Sequence, residues 1–260
     1  MRVNGVSPYF HLHRPLTRRS LQAITNGLLA AQHNEGRVST ENVEGKAAVL
    51  VPLANVQGIP GILLEIRGKT LRSHSGEVSF PGGRVDPTDA SLVDAALRET
   101  HEELGILPQN VEILGQFGPP EVNLRGNMVV YPFVGFVHAG PSTLNNLDTP
   151  IPSCDINALR KSISHPEVDA IFHLPFSALA SPTRLRASLY RGNKPYYTVG
   201  VSDFVLTERL LLKSDEPSER NNVAEENDSE IGGGKEEAFE VWGLTGWYLY
   251  SLMKKLQLYD

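Results

Sequence analysis

Three carboxylates on one face of a single helix constrain this chain more than any other feature of its sequence. The stretch reads Arg98-Glu99-Thr100-His101-Glu102-Glu103-Leu104-Gly105-Ile106. Helical residues three and four apart are neighbours, so Glu99 sits beside Glu102 and Glu103, and like charges at that spacing repel. A hard divalent cation such as Mg²⁺ or Mn²⁺ resolves the repulsion, because it prefers carboxylate oxygens. Arg98 faces Glu102 and can hold it through a charge-assisted hydrogen bond. A solvated acidic face is the competing reading, and the cluster alone does not separate the two.

The residues around it supply a scaffold. Pro81-Gly82-Gly83 precedes the helix, a turn where backbone can approach a ligand closely. Asp86 as cap, Pro87 as first residue and Asp89 in the first turn predict that the helix starts there. Leu92, Ala95, Ala96, Thr100 and Leu104 give it a buried stripe, and Gly105 ends it. Upstream, residues 17–33 read as a helix capped by Thr17 or Ser20. Ala47–Leu53 and Ile62–Ile66 read as a hairpin turning at Gly58-Ile59-Pro60-Gly61, and Glu77–Phe80 is a short extended piece. Downstream, Val111–Phe117 and Met128–Val137 read as strands across a long polar loop. Pro166–Pro175 leads into a helix near Phe176–Leu179, and Tyr196–Val201 is another strand. Glu240–Leu256 reads as a closing helix with Trp242, Leu244, Thr245, Tyr248, Leu249 and Leu252 on its apolar side. The pattern predicts one α/β sandwich.

Residues 213–235 carry seven acids, three bases and no aromatic residue, and read as a disordered acidic insert. The insert holds −4 of the chain's net charge of −6, so the remainder is near −2. That balance argues against a general binder of nucleic acid or anionic membrane. One cysteine, Cys154, excludes an intramolecular disulfide and a Cys-rich zinc site. No run approaches the ~20 apolar residues that span a bilayer. Arg2, Arg14, Arg18 and Arg19 precede the first acid, Glu35. They read as the solvated basic end of a packed first helix, with a mitochondrial presequence as the alternative.

The helix and its Pro-Gly-Gly turn resemble the Nudix box, G-x5-E-x7-R-E-U-x-E-E-x-G-U, where U is a bulky apolar residue. Arg98, Glu99, Glu102, Glu103, Gly105 and Ile106 match, with Thr100 in an apolar place. Asp89 stands where the box has Glu, and the spacer from Asp89 to Arg98 is eight residues rather than seven. Residues 63–83 are similar to the signature of the coenzyme A diphosphatase branch, roughly L-L-T-x-R-[SA]-x3-R-x3-G-x3-F-P-G-G. Arg67, Arg72, Gly76, Phe80, Pro81, Gly82 and Gly83 fall in register, while Glu65 replaces Thr and Gly68 replaces Ser or Ala. That branch also tends to carry the extra box residue. It includes the fungal peroxisomal enzymes.

The resemblance implies a Nudix fold, a mixed sheet sandwiched between helices. The domain would span residues 41–260, behind an N-terminal helical extension over 1–40. It implies Mg²⁺- or Mn²⁺-dependent hydrolysis of coenzyme A or its derivatives to 3′,5′-ADP and a 4′-phosphopantetheine. Glu99 and Glu103 would ligate the metal, with Glu102 a ligand or the group that activates water, and Arg98 would orient the carboxylates. Arg67 and Arg72 would bind substrate phosphates beside Gly82 and Gly83, or else pair with the box carboxylates. His74, Glu77, Glu121 and Asn123 are further cleft candidates, whereas Trp242, Trp247, Tyr248 and Tyr250 have the spacing of core residues. Two alternatives stand: a hydrolase of oxidised or other nucleoside triphosphates, and an inactive Nudix-fold binding module. The expected partner is a small molecule, neither nucleic acid nor membrane; oligomeric state is open. An intracellular site is expected, cytoplasmic by default and peroxisomal by resemblance.

Overall fold

The computed structural model describes residues 3–32, 43, 45–71, 74–140, 146–215 and 238–260. In chain order the elements are α1 (Arg18–Gln32), β1 (Gly45–Val56), β2 (Ile59–Arg67), β3 (Val78–Ser79), β4 (Gly82–Arg84), α2 (Leu92–Leu104), β5 (Val111–Gln116), β6 (Glu121–Val122) and β7 (Met128–Val137). Then come α3 (Ile156–Arg160), β8 (Val168–Pro175), α4 (Phe176–Leu179), β9 (Leu185–Tyr190), β10 (Lys194–Gly200), α5 (Ser202–Asp215), β11 (Glu240–Val241) and α6 (Gly243–Lys255).

A mixed sheet ordered β3-β2-β1-β7-β5 forms the centre, with β4 on β1, β6 on β7 and β8 on β2. β1 is its hub. It runs parallel to β7 from Gly45↔Met128 to Leu53↔Phe136. On its other edge it meets β4 at Ala47↔Arg84 and then β2 at Leu53↔Ile62. Strands covered on both faces need near-continuous apolar sequence, which β1 and β7 have. One face packs Ala48, Leu50 and Phe133 against Ala95 and Ala96 of α2. The other packs Val51, Leu53, Ile62, Val134 and Phe136 in one cluster with Leu21, Ile24 and Leu28 of α1 and Leu249 and Leu252 of α6. Helices therefore cover both faces, as expected. A second sheet, β11-β10-β9, joins the α6 side.

Several elements differ from the sequence expectation. The β1–β2 turn is Gln57-Gly58, both with positive φ (51° and 76°), which matches strand twist; Ile59, Pro60 and Gly61 already belong to β2. α2 starts at Leu92 rather than at Pro87, because Ser91 caps it by accepting Asp94 N–H at 3.2 Å. Asp86 and Asp89 are engaged in a turn of their own, through Thr88 N–H to Asp86 (2.9 Å) and Asp86 N–H to Asp89 (2.8 Å). The closing helix starts at Gly243, since Glu240 and Val241 pair with β10 as β11. Trp242 therefore leaves the expected apolar stripe and is 45% exposed. Finally, α5 was not expected, and it takes in residues 213–215 of the predicted insert; residues 216–235 lie outside the described ones.

Around the first helix, α1 matches its predicted span, with Thr17 Oγ1 accepting Ser20 N–H at 3.2 Å. Its basic end is solvated as expected, with Arg14 and Arg19 exposed, and it is also paired: Arg18 bonds Glu112, and Arg19 forks onto Asp148 at 2.6 and 2.9 Å. The fully buried Asn55 of β1 clips the segment before it, accepting Leu16 N–H and donating to the carbonyls of Leu16 and Ile151.

Candidate active site

The Gly82-Gly83 strand lies pressed between β1 and α2. Gly82 has φ +147°, and a Cβ there would stand 2.4 Å from Ala48 O. A Cβ on Gly83 would stand 2.5 Å from the Glu99 carboxyl carbon. Gly82 N–H donates to Glu103 Oε2 at 2.8 Å, so backbone and helix meet with nothing between them. Glu103 is buried and Glu99 is half-buried, while the Glu102 side chain is 52% exposed. Burial pushes both Glu99 and Glu103 above the usual carboxylate range; repulsion from Glu65 adds to it for Glu103.

Arg98 organises the solvent side of this helix. It forks onto Asp89 (2.9 and 3.0 Å), reaches Glu99 at 3.0 Å and Glu102 at 2.9 Å, and donates to Arg84 O at 2.9 Å. The expected Arg98–Glu102 contact is present, and Asp89 joins it despite its irregular spacing. The guanidinium is held protonated, chiefly by Asp89.

β2 contributes a second charged group. Arg67 Nη1 lies 3.7 Å from Glu65 Oε1 and 3.8 Å from Glu103 Oε1. Arg67 also lines a cavity of about 300 Å³ with Gly82, Gly83, Arg84, His74, Glu77 and Arg125. Phe80, Leu124, Met128 and Trp242 give this cavity an apolar side.

The other candidates divide. His74 and Glu77 bond each other at 3.0 Å on the cavity wall. Asn123 lines the cavity too, its side chain closing the loop onto Asn127 and Met128 N–H. Glu121 does not: it is buried between Lys194 (2.8 Å) and Trp247 Nε1 (3.1 Å). Trp247 stacks on Tyr190, and Tyr248 is core. Trp242 joins the cavity instead. Arg72 lies outside the described residues. Sequence reasoning passed over Arg84, which stands at a variable position of the box, and Arg125, which lies outside it, and gave Glu65 no role, although its departure from the Thr of the branch signature was visible.

Among the described residues, no three His, Cys, Asp or Glu side chains converge into a set that would hold a metal ion by itself. The donors still fit a hard cation. Mg²⁺ is usually held by one or two carboxylates plus substrate phosphates and water, not by an all-protein cage. Glu99 and Glu103 offer two desolvated carboxylates whose repulsion a cation would relieve. Glu65 adds a buried Oε2 that has no hydrogen-bond partner.

The chain matches the NUDIX domain over residues 45–179, just over half its length. It is 42% identical over 132 residues to a protein of Enterobacter sp. (strain 638) called uncharacterized Nudix hydrolase NudL, covering 51% of this chain and 58% of that one. A NudL of Cronobacter sakazakii is 50% identical over 92 residues, covering 35% and 46%. The chain thus spans about half the length of the curated relatives it matches. Among solved structures, the NUDIX domain of Shewanella oneidensis NrtR complexed with ADP ribose is 18% identical, with a TM-score of 0.35, covering 59% of this chain and 84% of that one. The matched span holds β1 to α4 and with them Gly82, Gly83 and the carboxylate helix, and on that match the chain belongs to the Nudix family.

Proposed function

We propose that the chain is a Mg²⁺- or Mn²⁺-dependent hydrolase that cleaves the diphosphate bond of coenzyme A or its derivatives, giving 3′,5′-ADP and a 4′-phosphopantetheine. The observation that carries hydrolysis of a diphosphate is the contact of Gly82 and Gly83, which line a cavity together with Arg67, with the carboxylates of Glu103 and Glu99. The narrower choice of coenzyme A rests on the residue pattern from Leu63 to Gly83.

A diphosphate repels an incoming hydroxide. A bound cation neutralises that charge and lowers the pKa of its water. Glu99 and Glu103 would hold the cation, with Glu102 completing the set or activating water. Arg98 fixes the carboxylates of Glu99 and Glu102, so they need not reorganise as charge develops. The backbone at Gly82 and Gly83 lets the diphosphate approach without a Cβ in its path. Arg67 faces the cavity as a phosphate ligand. Phe80, Leu124 and Trp242 offer apolar surface to the rest of the substrate.

The test is a substrate panel on the purified chain with Mg²⁺ and with Mn²⁺, products identified by mass. Coenzyme A, an acyl-coenzyme A, NADH, ADP-ribose, a diadenosine polyphosphate and an oxidised dGTP are compared. A dominant yield of 3′,5′-ADP is expected. Preference for nucleoside triphosphates would transfer the mechanism to that class, and no turnover on any member would leave a binding module.

A further inference from the structure

Glu65 is a buried carboxyl group with one oxygen left unpartnered. Its side chain is fully buried on β2. Its Oε1 accepts the Ser79 hydroxyl at 2.8 Å, and its Oε2 has no hydrogen-bond partner. An apolar or amide side chain would occupy such a site at lower cost. What Glu65 does have is a neighbour in the active site. Arg67 Nη1 stands 3.7 Å from Glu65 Oε1 and 3.8 Å from Glu103 Oε1, too far from either for a hydrogen bond. The guanidinium is shared between two carboxylates and captured by neither. Glu103 has already given its Oε2 to Gly82 N–H. Its Oε1, which no such bond engages, is the more open oxygen for a cation, and it is the same oxygen that Arg67 faces.

We propose that Glu65 is a positioning residue that holds Arg67 back from Glu103, leaving Glu103 Oε1 open to a divalent cation and Arg67 open to a phosphate oxygen of the substrate. The inference rests on the reading of Glu103 as a cation ligand. Ser79 fixes the Glu65 carboxylate at one end, so its pull on Arg67 has a set direction. Without that pull, Arg67 has one carboxylate to turn to. It closes on Glu103 and competes with the cation for the same oxygen.

The test reads cation binding in the full chain without substrate, using Mn²⁺ and the electron paramagnetic resonance of its free form. Wild type, Glu65→Gln, Arg67→Gln, the double variant and Glu103→Gln are compared. Glu65→Gln is expected to weaken Mn²⁺ binding about tenfold. Arg67→Gln should not weaken it, and the double variant should match Arg67→Gln within about twofold, because removing Arg67 makes its restraint irrelevant. If Glu65→Gln binds as wild type does, or costs as much with Arg67 absent as with it present, the proposal is overturned; the second result would reduce Glu65 to one more negative charge. Glu103→Gln separates the two readings. If it leaves Mn²⁺ binding unchanged, the cation-ligand reading falls and takes this one with it. If it weakens binding while the cycle is additive, the role of Glu65 alone falls. Should Glu65→Gln not fold, Ser79→Ala loosens the same carboxylate without removing it. A smaller loss of Mn²⁺ affinity is then expected, and wild-type affinity would overturn the proposal.

Discussion

The backbone N–H of Gly82 donates to Glu103 Oε2 at 2.8 Å, which ties the loop that would receive a diphosphate to the helix that would hold its cation. The two glycines of this loop are not equivalent. Gly82→Ala drives a Cβ into the carbonyl of Ala48 and the Cα of Val49 at a positive φ, and backbone cannot step aside. A stability loss of about 2–4 kcal/mol is expected by urea unfolding. For Gly83→Ala the nearest atoms are those at the end of the Glu99 side chain, which can move aside. It should keep most of its stability and lose Mn²⁺ affinity and turnover instead. Equal behaviour of the two variants would contradict this division.

Glu103→Gln keeps the Gly82 bond and removes a desolvated charge. Turnover should fall at least about a hundredfold, with metal affinity falling too. The thermal midpoint without metal should hold or rise, because burial already disfavours the ionised carboxyl that the amide replaces. A near-normal rate would remove Glu103 from the reaction.

Arg98→Lys tests the fork. An ammonium cannot satisfy Asp89 twice while reaching Glu99, Glu102 and Arg84 O. A loss of about 1–3 kcal/mol is expected by denaturant titration, together with a drop in kcat.

His173 sets an acid limit. Burial brings its pKa from 6.5 down to about 4, and its Nε2 has no partner. Above pH 6.5 the ring is neutral in both folded and unfolded chains. As pH falls below that value the unfolded chain takes a proton that the fold refuses, so stability drops until about pH 4. The drop amounts to about 2–3 kcal/mol. His173→Gln should flatten this limb between pH 7 and 4; an unchanged slope would assign the acid sensitivity elsewhere.

Asn55→Leu leaves Leu16 N–H and the Ile151 carbonyl without their partner, while the Leu16 carbonyl keeps the Ile151 N–H at 3.0 Å. A cost of about 2–4 kcal/mol is expected. Hydrogen exchange should show the Leu16 amide losing protection before the amides of β1.

The box helix was legible because its chemistry is local. Glu99, Glu102, Glu103 and Arg98 lie within one and a half turns, and helical spacing alone puts them together. The start of α2 was not, because Asp86-Pro87 and Ser91 both carry valid capping chemistry. Arg98 decided between them from nine residues away, by engaging Asp89. The shared guanidinium was hidden for a different reason. Glu65 and Arg67 sit on β2 and Glu103 on α2, and only the packing of helix on sheet makes them neighbours. The same holds for Trp242, whose helical-looking sequence gave way to the pairing of Val241 with Val199.

The place of β1 has a consequence for how the protein comes into being. The β1–β2 hairpin closes over two residues and needs nothing else. The parallel β1–β7 ladder must wait for a crossover that contains β2, β3, β4, α2, β5 and β6. Such distant pairing is slow to form. During synthesis the carboxylate helix therefore leaves the ribosome before the strand that completes the sheet beneath it. Until β7 arrives, α2 has only part of its floor, and the site acquires its geometry with the closing of the sheet rather than with the folding of its own residues.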